Sequence, residues 1–155
     1  MTVMLQPIQD NDEPFLFTLY ATTRAEELAW TDWPPEQRDA FLRSQFYAQR
    51  THYARECPGA SFDLIVLDGE RVGRLYVDRR ADDIRIIDIA LLPSYRNRGI
   101  GSHIMEDLLA EGASSGRPVS IHVEKNNPAA MRFYEKLGFI CAGDIGTHLF
   151  MECRS

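Results

Sequence analysis

The run Ile84 to Leu92, IRIIDIALL, constrains the fold more than any other segment. Its apolar residues do not alternate with polar ones. A strand of this kind is expected to be covered on both faces, as a central strand is in a layered α/β domain. One charge, Asp88, sits in the middle of it. Burying a carboxylate costs on the order of several kcal/mol unless it is paired or hydrated. Asp88 therefore needs a partner, with Arg74 or Arg85 the candidates, or a chemical task.

Directly after Pro93 comes RNRGIG, Arg96 to Gly101, and then a helical pattern with Ile104, Met105, Leu108 and Leu109 on one side. That helix is expected to run to about Glu111 and to end at Gly112 and Gly116. A helix N-terminus leaves its first N–H groups unpaired and carries partial positive charge. Glycine lets a ligand approach the backbone closely, and arginine adds bidentate charge. The loop therefore reads as a cradle for an anionic group such as a pyrophosphate. Its alternative is a glycine-containing turn with solvated arginines. A GxxxxGK[ST] phosphate loop is absent. The third glycine of a GxGxxG pattern would fall on Ile104, and no βαβ unit precedes it, which argues against a dinucleotide site.

The rest of the chain supplies the layers. Thr2 to Ile8 reads as a strand. Helices are expected from Glu13 to about Leu28 and from about Pro35 to Arg55, the second with Phe41, Leu42, Phe46 and Tyr53 as its apolar stripe. Ser61 to Leu67 and Arg71 to Asp78 form a hairpin around Asp68-Gly69. Val119 to Glu124 is a strand, NNP opens a helix to Leu137, and Phe139 to Ala142 and Thr147 to Glu152 close the chain as strands. The order is that of one mixed α/β domain over residues 1–155, with no visible linker.

The net charge of −6 removes the basic footprint that nonspecific nucleic-acid binding needs. Three cysteines without a CxxC pair, and four histidines without an HxxxH pair, argue for reduced thiols and against a metal site. No signal-peptide pattern and no membrane-length apolar run appear. A soluble cytoplasmic protein that binds no nucleic acid and no membrane is the expectation.

Two blocks together resemble the acetyl-CoA-dependent N-acyltransferases of the GNAT superfamily. The first is Arg96-Asn97-Arg98-Gly99-Ile100-Gly101 after a buried strand, matching the pattern Arg/Gln-x-x-Gly-x-Gly/Ala. The second is HVEKNNPAAMRFYEKLGF, with Asn127, Ala130, Tyr134, Gly138 and Phe139 in the family's order. The resemblance covers residues 60–153 well and residues 1–58 only in element order. It implies a mixed, mostly antiparallel sheet of about 6–7 strands flanked by about four helices, splayed between strands 84–92 and 119–124. Residues 60–153 would be the acyl-CoA-binding core, and the helices within residues 1–58 the acceptor side.

The resemblance further implies that backbone N–H groups of Arg98, Gly99, Ile100, Gly101 and Ser102, with Arg96 and Asn97, hold the CoA pyrophosphate. The pantetheine arm would lie along Leu91 and Leu92, and Asn127 and Ala130 would meet it. Asn127 is equally suited to cap the helix that Pro128 opens. Tyr134 would donate to the departing CoA sulfur; by spacing alone it belongs to a core stripe with Ala130, Phe133 and Leu137. The acceptor amine must be neutral to attack, so a base is needed. Asp88 and Glu124 are its candidates, each with a plainer alternative: a salt bridge for Asp88 and a solvated strand end for Glu124. The acceptor pocket should come from the first two helices and their link, which hold Arg24, Glu26, Glu27, Trp30, Trp33, Gln45, Gln49, His52 and Tyr53. Glu26 or Glu27 could attract a cationic amine and Trp30 or Trp33 could wall it. The plainer alternative is an ordinary amphipathic helix pair.

The expected activity is transfer of an acetyl group from acetyl-CoA to a primary amine, by direct attack in a ternary complex. No cysteine has an evident activating base, so an acyl-cysteine step is not expected. A catalytically silent acyl-CoA sensor is the alternative. Pairing of the C-terminal edge strand in a homodimer is a further expectation.

Overall fold

The computed structural model describes residues 2–154. One sheet of seven strands forms the centre, in the order β1-β2-β3-β4-β5-β7-β6. The strands are β1 (Val3–Pro7), β2 (Ser61–Leu67), β3 (Glu70–Arg79), β4 (Ile84–Leu91), β5 (Val119–Glu124), β6 (Ile140–Asp144) and β7 (His148–Cys153). All neighbours pair antiparallel except β4 and β5, which are parallel. The helices are α1 (Glu13–Ala29), α2 (Pro35–Glu56), α3 (Ile100–Ser115) and α4 (Pro128–Lys136). The mixed α/β class, the strand count and the four helices agree with the sequence-based expectation.

Each face of the sheet buries a separate core, and strand alternation assigns the residues. Ile65, Leu75, Val77, Ile84, Ile86 and Ile121 meet Ile104, Met105 and Leu108 of α3 and Tyr134 of α4. Leu64 and Val66 point the other way, to Leu16 and Tyr20 of α1 and Phe46 of α2. The expected stripe on α2 is narrower than drawn. Only Phe46 is buried, because Phe41 turns to Trp33 of the linker and Tyr53 to Tyr76 of β3.

The covering of β4 also differs from expectation. Ile84 and Ile86 are buried, but Ile87 to Leu91 are only half-buried. The reason is the parallel ladder, which spans Ile84↔Val119, Arg85↔Ser120 and Ile86↔Ile121 and then stops. Beyond it β5 leaves β4. At the same place the register with β3 jumps from Val77↔Ile86 to Tyr76↔Asp88, leaving Ile87 as a bulge. A bulge reverses which face the following residues meet. Ile84 and Ile86 face α3, and after the bulge Ile89 and Leu91 do so. Asp88 consequently turns to the α2 side.

Close backbone approach fixes one glycine of this region. A Cβ on Gly73, opposite Leu91 in the β3–β4 ladder, would lie 2.2 Å from the Ala90 carbonyl oxygen. That contact is impossible without moving β4. Gly73→Ala is expected to cost about 3 kcal/mol, read as a lowered midpoint in urea denaturation.

Candidate active site

The opening between β4 and β5 is the centre of the site. From Ile87 to Leu91, the β5-facing edge of β4 has no ladder partner. Unpaired strand groups are an available template for an extended polar chain. At the end of this edge the Leu91 carbonyl accepts a hydrogen bond from Arg96 Nε at 3.1 Å, and Leu92 N–H donates to the Val72 carbonyl at 2.8 Å.

The loop that follows turns back through two left-handed residues, Asn97 (φ 59°) and Gly99 (φ 83°). Sequence spacing had marked the glycine; the strained Asn97 it could not show, although asparagine tolerates that region best after glycine. Gly99 is the N-cap of α3 and offers no side-chain cap. The first acceptor of the helix is the Gly99 carbonyl, taken by His103 N–H at 3.0 Å. The N–H groups of Ile100, Gly101 and Ser102 precede that bond and lack helix partners by geometry. The Ile100 side chain is fully buried, so only its backbone is available to a ligand. Arg98 stacks over Tyr95 at 5.1 Å, and Arg96, Asn97, Arg98 and Gly99 are exposed.

Asn127 is the N-cap of α4. Its side chain accepts from the Ala130 N–H at 3.1 Å, so the capping role is present. Tyr134 is buried from the next turn of that helix, against Phe133 and Phe139. Among the described residues its hydroxyl has no hydrogen-bond partner. Nor is it among the fully enclosed unsatisfied atoms, so what remains accessible of this residue includes the hydroxyl. Burial, and secondarily the Asp88 charge, push its pKa well above the ordinary phenol range. The two groups lie on opposite faces of the sheet: Tyr134 packs in the α3-side core, and Asp88 faces Arg74 and α2.

Asp88 has the expected partner. Arg74 of β3 holds it through Nε and Nη2, both on Oδ2. Arg74 is 3% exposed and also donates to Gln49 Oε1 of α2 at 2.9 Å. Its guanidinium lies 4.8 Å from the centre of the Tyr76 ring, which Tyr53 meets edge-on at 5.8 Å. Burial works against the charged guanidinium, but Asp88 together with Tyr76 and Tyr53 outweighs it, and the Arg74 pKa is raised. The second expected partner, Arg85, lies before the bulge. It instead reaches Ser120 at 2.8 Å and Asp83 at 3.5 Å.

Glu124, the other base candidate, is exposed at the end of β5, with its carboxylate 3.9 Å from the His148 ring. Trp30 is 90% exposed and lines, with Glu26 and Ala29, a shallow hollow of about 420 Å³. Glu27 pairs with Arg24 at 2.9 Å. Gln49, Tyr53 and Arg74 were not singled out as a unit from sequence. The signal was present only as an arginine and a carboxylate in adjacent apolar strands.

The overall fold is shared with solved acetyltransferase structures. The whole chain superposes on PaiA N-acetyltransferase from Thermoplasma acidophilum, solved in complex with coenzyme A, with a TM-score of 0.73 at 16% identity, covering 100% of both chains. An acetyltransferase from Thermus thermophilus gives 0.72 at 23% identity, covering 98% of this chain and 96% of that one. The model of the Acetyltransferase (GNAT) family matches residues 22–139, and the chain belongs to that family. The match reaches back into α1, further than the sequence motifs alone extend.

Among curated relatives, mycothiol acetyltransferase of Corynebacterium glutamicum (strain R) is 32% identical over 117 residues, 72% of this chain but 38% of that protein. The chain therefore spans well under half the length of that relative. The uncharacterized N-acetyltransferase YycN of Bacillus subtilis is 28% identical over 148 residues, 90% of this chain and 93% of that protein.

Two outcomes test this geometry. A Cβ on Gly101 would meet only the Phe133 ring, at 3.5 Å, an ordinary contact. Gly101→Arg is thus expected to keep the thermal melting profile while acetyl-CoA binding in calorimetry is lost. Asp88→Leu is expected to destabilise by about 3–5 kcal/mol, since it strands a buried guanidinium. Asp88→Asn, which retains an acceptor oxygen, should cost clearly less in the same urea titration.

Proposed function

We propose that this protein transfers an acetyl group from acetyl-CoA to a primary amine of a small molecule or peptide, by direct attack in a ternary complex. The observation that carries this reading is the opening of β4 from β5 beyond Ile86 and Ile121, next to the uncapped helix mouth at Gly99. Backbone N–H groups from Arg98 to Ser102, with Arg96 and Asn97 beside them, hold the pyrophosphate. The pantetheine amides pair with the open β4 edge up to Leu91 and Leu92, and Asn127 and Ala130 border the arm. An N–H on that edge polarises the thioester carbonyl.

The amine nitrogen attacks the carbonyl carbon, and the carbon–sulfur bond breaks. The nitrogen gives its proton to a base, directly or through water. Asp88 fits that role better than Glu124, because it stands at the opening whereas Glu124 faces His148 at a solvated strand end. The electron pair leaves with sulfur as the CoA thiolate. Tyr134 supports that thiolate by hydrogen bonding. A phenol ordinarily titrates near about 10 and a thiol near about 8.5, and burial raises the phenol further. Full proton transfer is therefore strongly uphill. The hydroxyl stabilises the leaving sulfur while keeping its own proton, and the sulfur is protonated afterwards from water.

Calorimetric titration is expected to show saturable binding of acetyl-CoA and CoA and none of NAD; absence of all binding would reduce the loop to a turn. Tyr134→Phe is expected to lower turnover about 100-fold and leave acetyl-CoA affinity unchanged. The sign of the pH effect follows from the raised pKa. A donor must be protonated, so in the wild-type enzyme Tyr134 adds no alkaline fall in rate below about pH 10. A fall near pH 8 that Tyr134→Phe abolishes would remove the role.

A further inference from the structure

Arg74 is a charge that the transfer reaction itself does not use. It is almost fully buried, and it is committed on two sides, to Asp88 of β4 and to Gln49 of α2. Its hydrogen bond and its ion-pair contact with Asp88 both fall on Oδ2. Oδ1 accepts no hydrogen bond among the described residues, and it is not among the enclosed unsatisfied atoms. The Asp88 side chain keeps 25% of its exposure, against 4% for Arg74. A guanidinium can grip a carboxylate by both oxygens. Here it takes one and leaves the other free at the point where the sheet opens.

We propose that Arg74, braced by Gln49, is a positioning residue for the acceptor amine. It holds Asp88 by Oδ2 and so presents Oδ1 to the N–H groups of an incoming ammonium. This rests on the N-acetyltransferase reading above. The acceptor class that the arrangement takes is an amine that arrives protonated, since a partly exposed carboxylate oxygen recognises that charge. The bulge at Ile87 places Asp88 on this face, and Arg74 sets its rotamer. The brace also ties the acceptor-side helix α2 to the centre of the sheet, so acceptor recognition is linked to α2 through one hydrogen bond.

The test compares two nucleophiles in the full chain, following CoA thiol release above the uncatalysed background. One is the best acceptor from a panel of primary amines: butylamine, phenylethylamine, spermidine and a short peptide. The other is hydroxylamine, which is largely uncharged at neutral pH. Arg74→Lys keeps the charge but cannot hold Asp88 and Gln49 in one plane. It is expected to lower kcat/KM for the amine about 100-fold, while the hydroxylamine rate and the KM for acetyl-CoA change less than about threefold. Gln49→Leu leaves the ion pair intact and is expected to lower the amine value about tenfold; it carries the test if Arg74→Lys does not fold. Equal loss for amine and hydroxylamine would make Arg74 a structural residue and overturn the proposal, as would no loss for either. A wild-type protein that acetylates neither nucleophile would instead sink the transferase reading, and this inference with it.

Discussion

The structure depends on where β4 and β5 stop pairing. Three ladder pairs join them, and the third, Ile86↔Ile121, is the last. Up to that point the two strands close one continuous sheet over the α3 core. Beyond it, the exposed backbone of β4 needs another polar partner. The bulge at Ile87 falls at the same position and reverses the facing of all later β4 side chains. One local irregularity thus decides that Ile89 and Leu91 go to the α3 face and Asp88 to the α2 face. It also explains how a carboxylate sits in an apolar strand without being an orphan. Arg74 is within reach because Asp88 pairs opposite Tyr76, on the same face as Ala90, the register partner of Arg74 itself.

The helix mouth and the opening are consecutive in the chain and cannot move independently. Pro93 to Tyr95 form a single 3-10 turn after β4, and Asn97 and Gly99 in left-handed conformation then reverse the chain into α3. The buried Ile100 anchors the first residue of that helix in the core. Its free N–H groups are thereby held rigidly beside the end of the unpaired β4 edge. A ligand with an anionic end and an extended amide-bearing arm matches the two features together, and neither feature accounts for such a ligand alone. Rigid donors of this kind need no reorganisation when a ligand arrives.

Much of this was legible in the sequence. The element order followed from apolar periodicity, Asp68-Gly69 marked its hairpin, and Arg96 to Gly101 marked the helix mouth. Asp88 announced itself because a charge among isoleucines demands an explanation. Four features were not legible. The bulge at Ile87 leaves no compositional trace, since isoleucine serves equally in a regular strand. Arg74 rather than Arg85 holds Asp88 because Arg85, on the same face, is taken by Ser120 and Asp83. The half-burial of residues 87–91, where full covering was expected, follows from the end of the β4–β5 ladder. Tyr134 looked alike as a core residue and as a donor, because its ring packs in either case; the structure adds that its hydroxyl has no hydrogen-bond partner among the described residues.

The sequence by itself determined the layered α/β class, the glycine and arginine content of the helix mouth, and the presence of one charge in the central strand. Those properties are local, set by residue type and spacing. Tertiary structure alone decided that β5 parts from β4 after Ile121, that Asp88 turns toward Arg74 and Gln49, and that Tyr134 is buried against Phe133 and Phe139. Those properties depend on strand register and on segments as far apart in the chain as Gln49 and Tyr134, and no local pattern carries register.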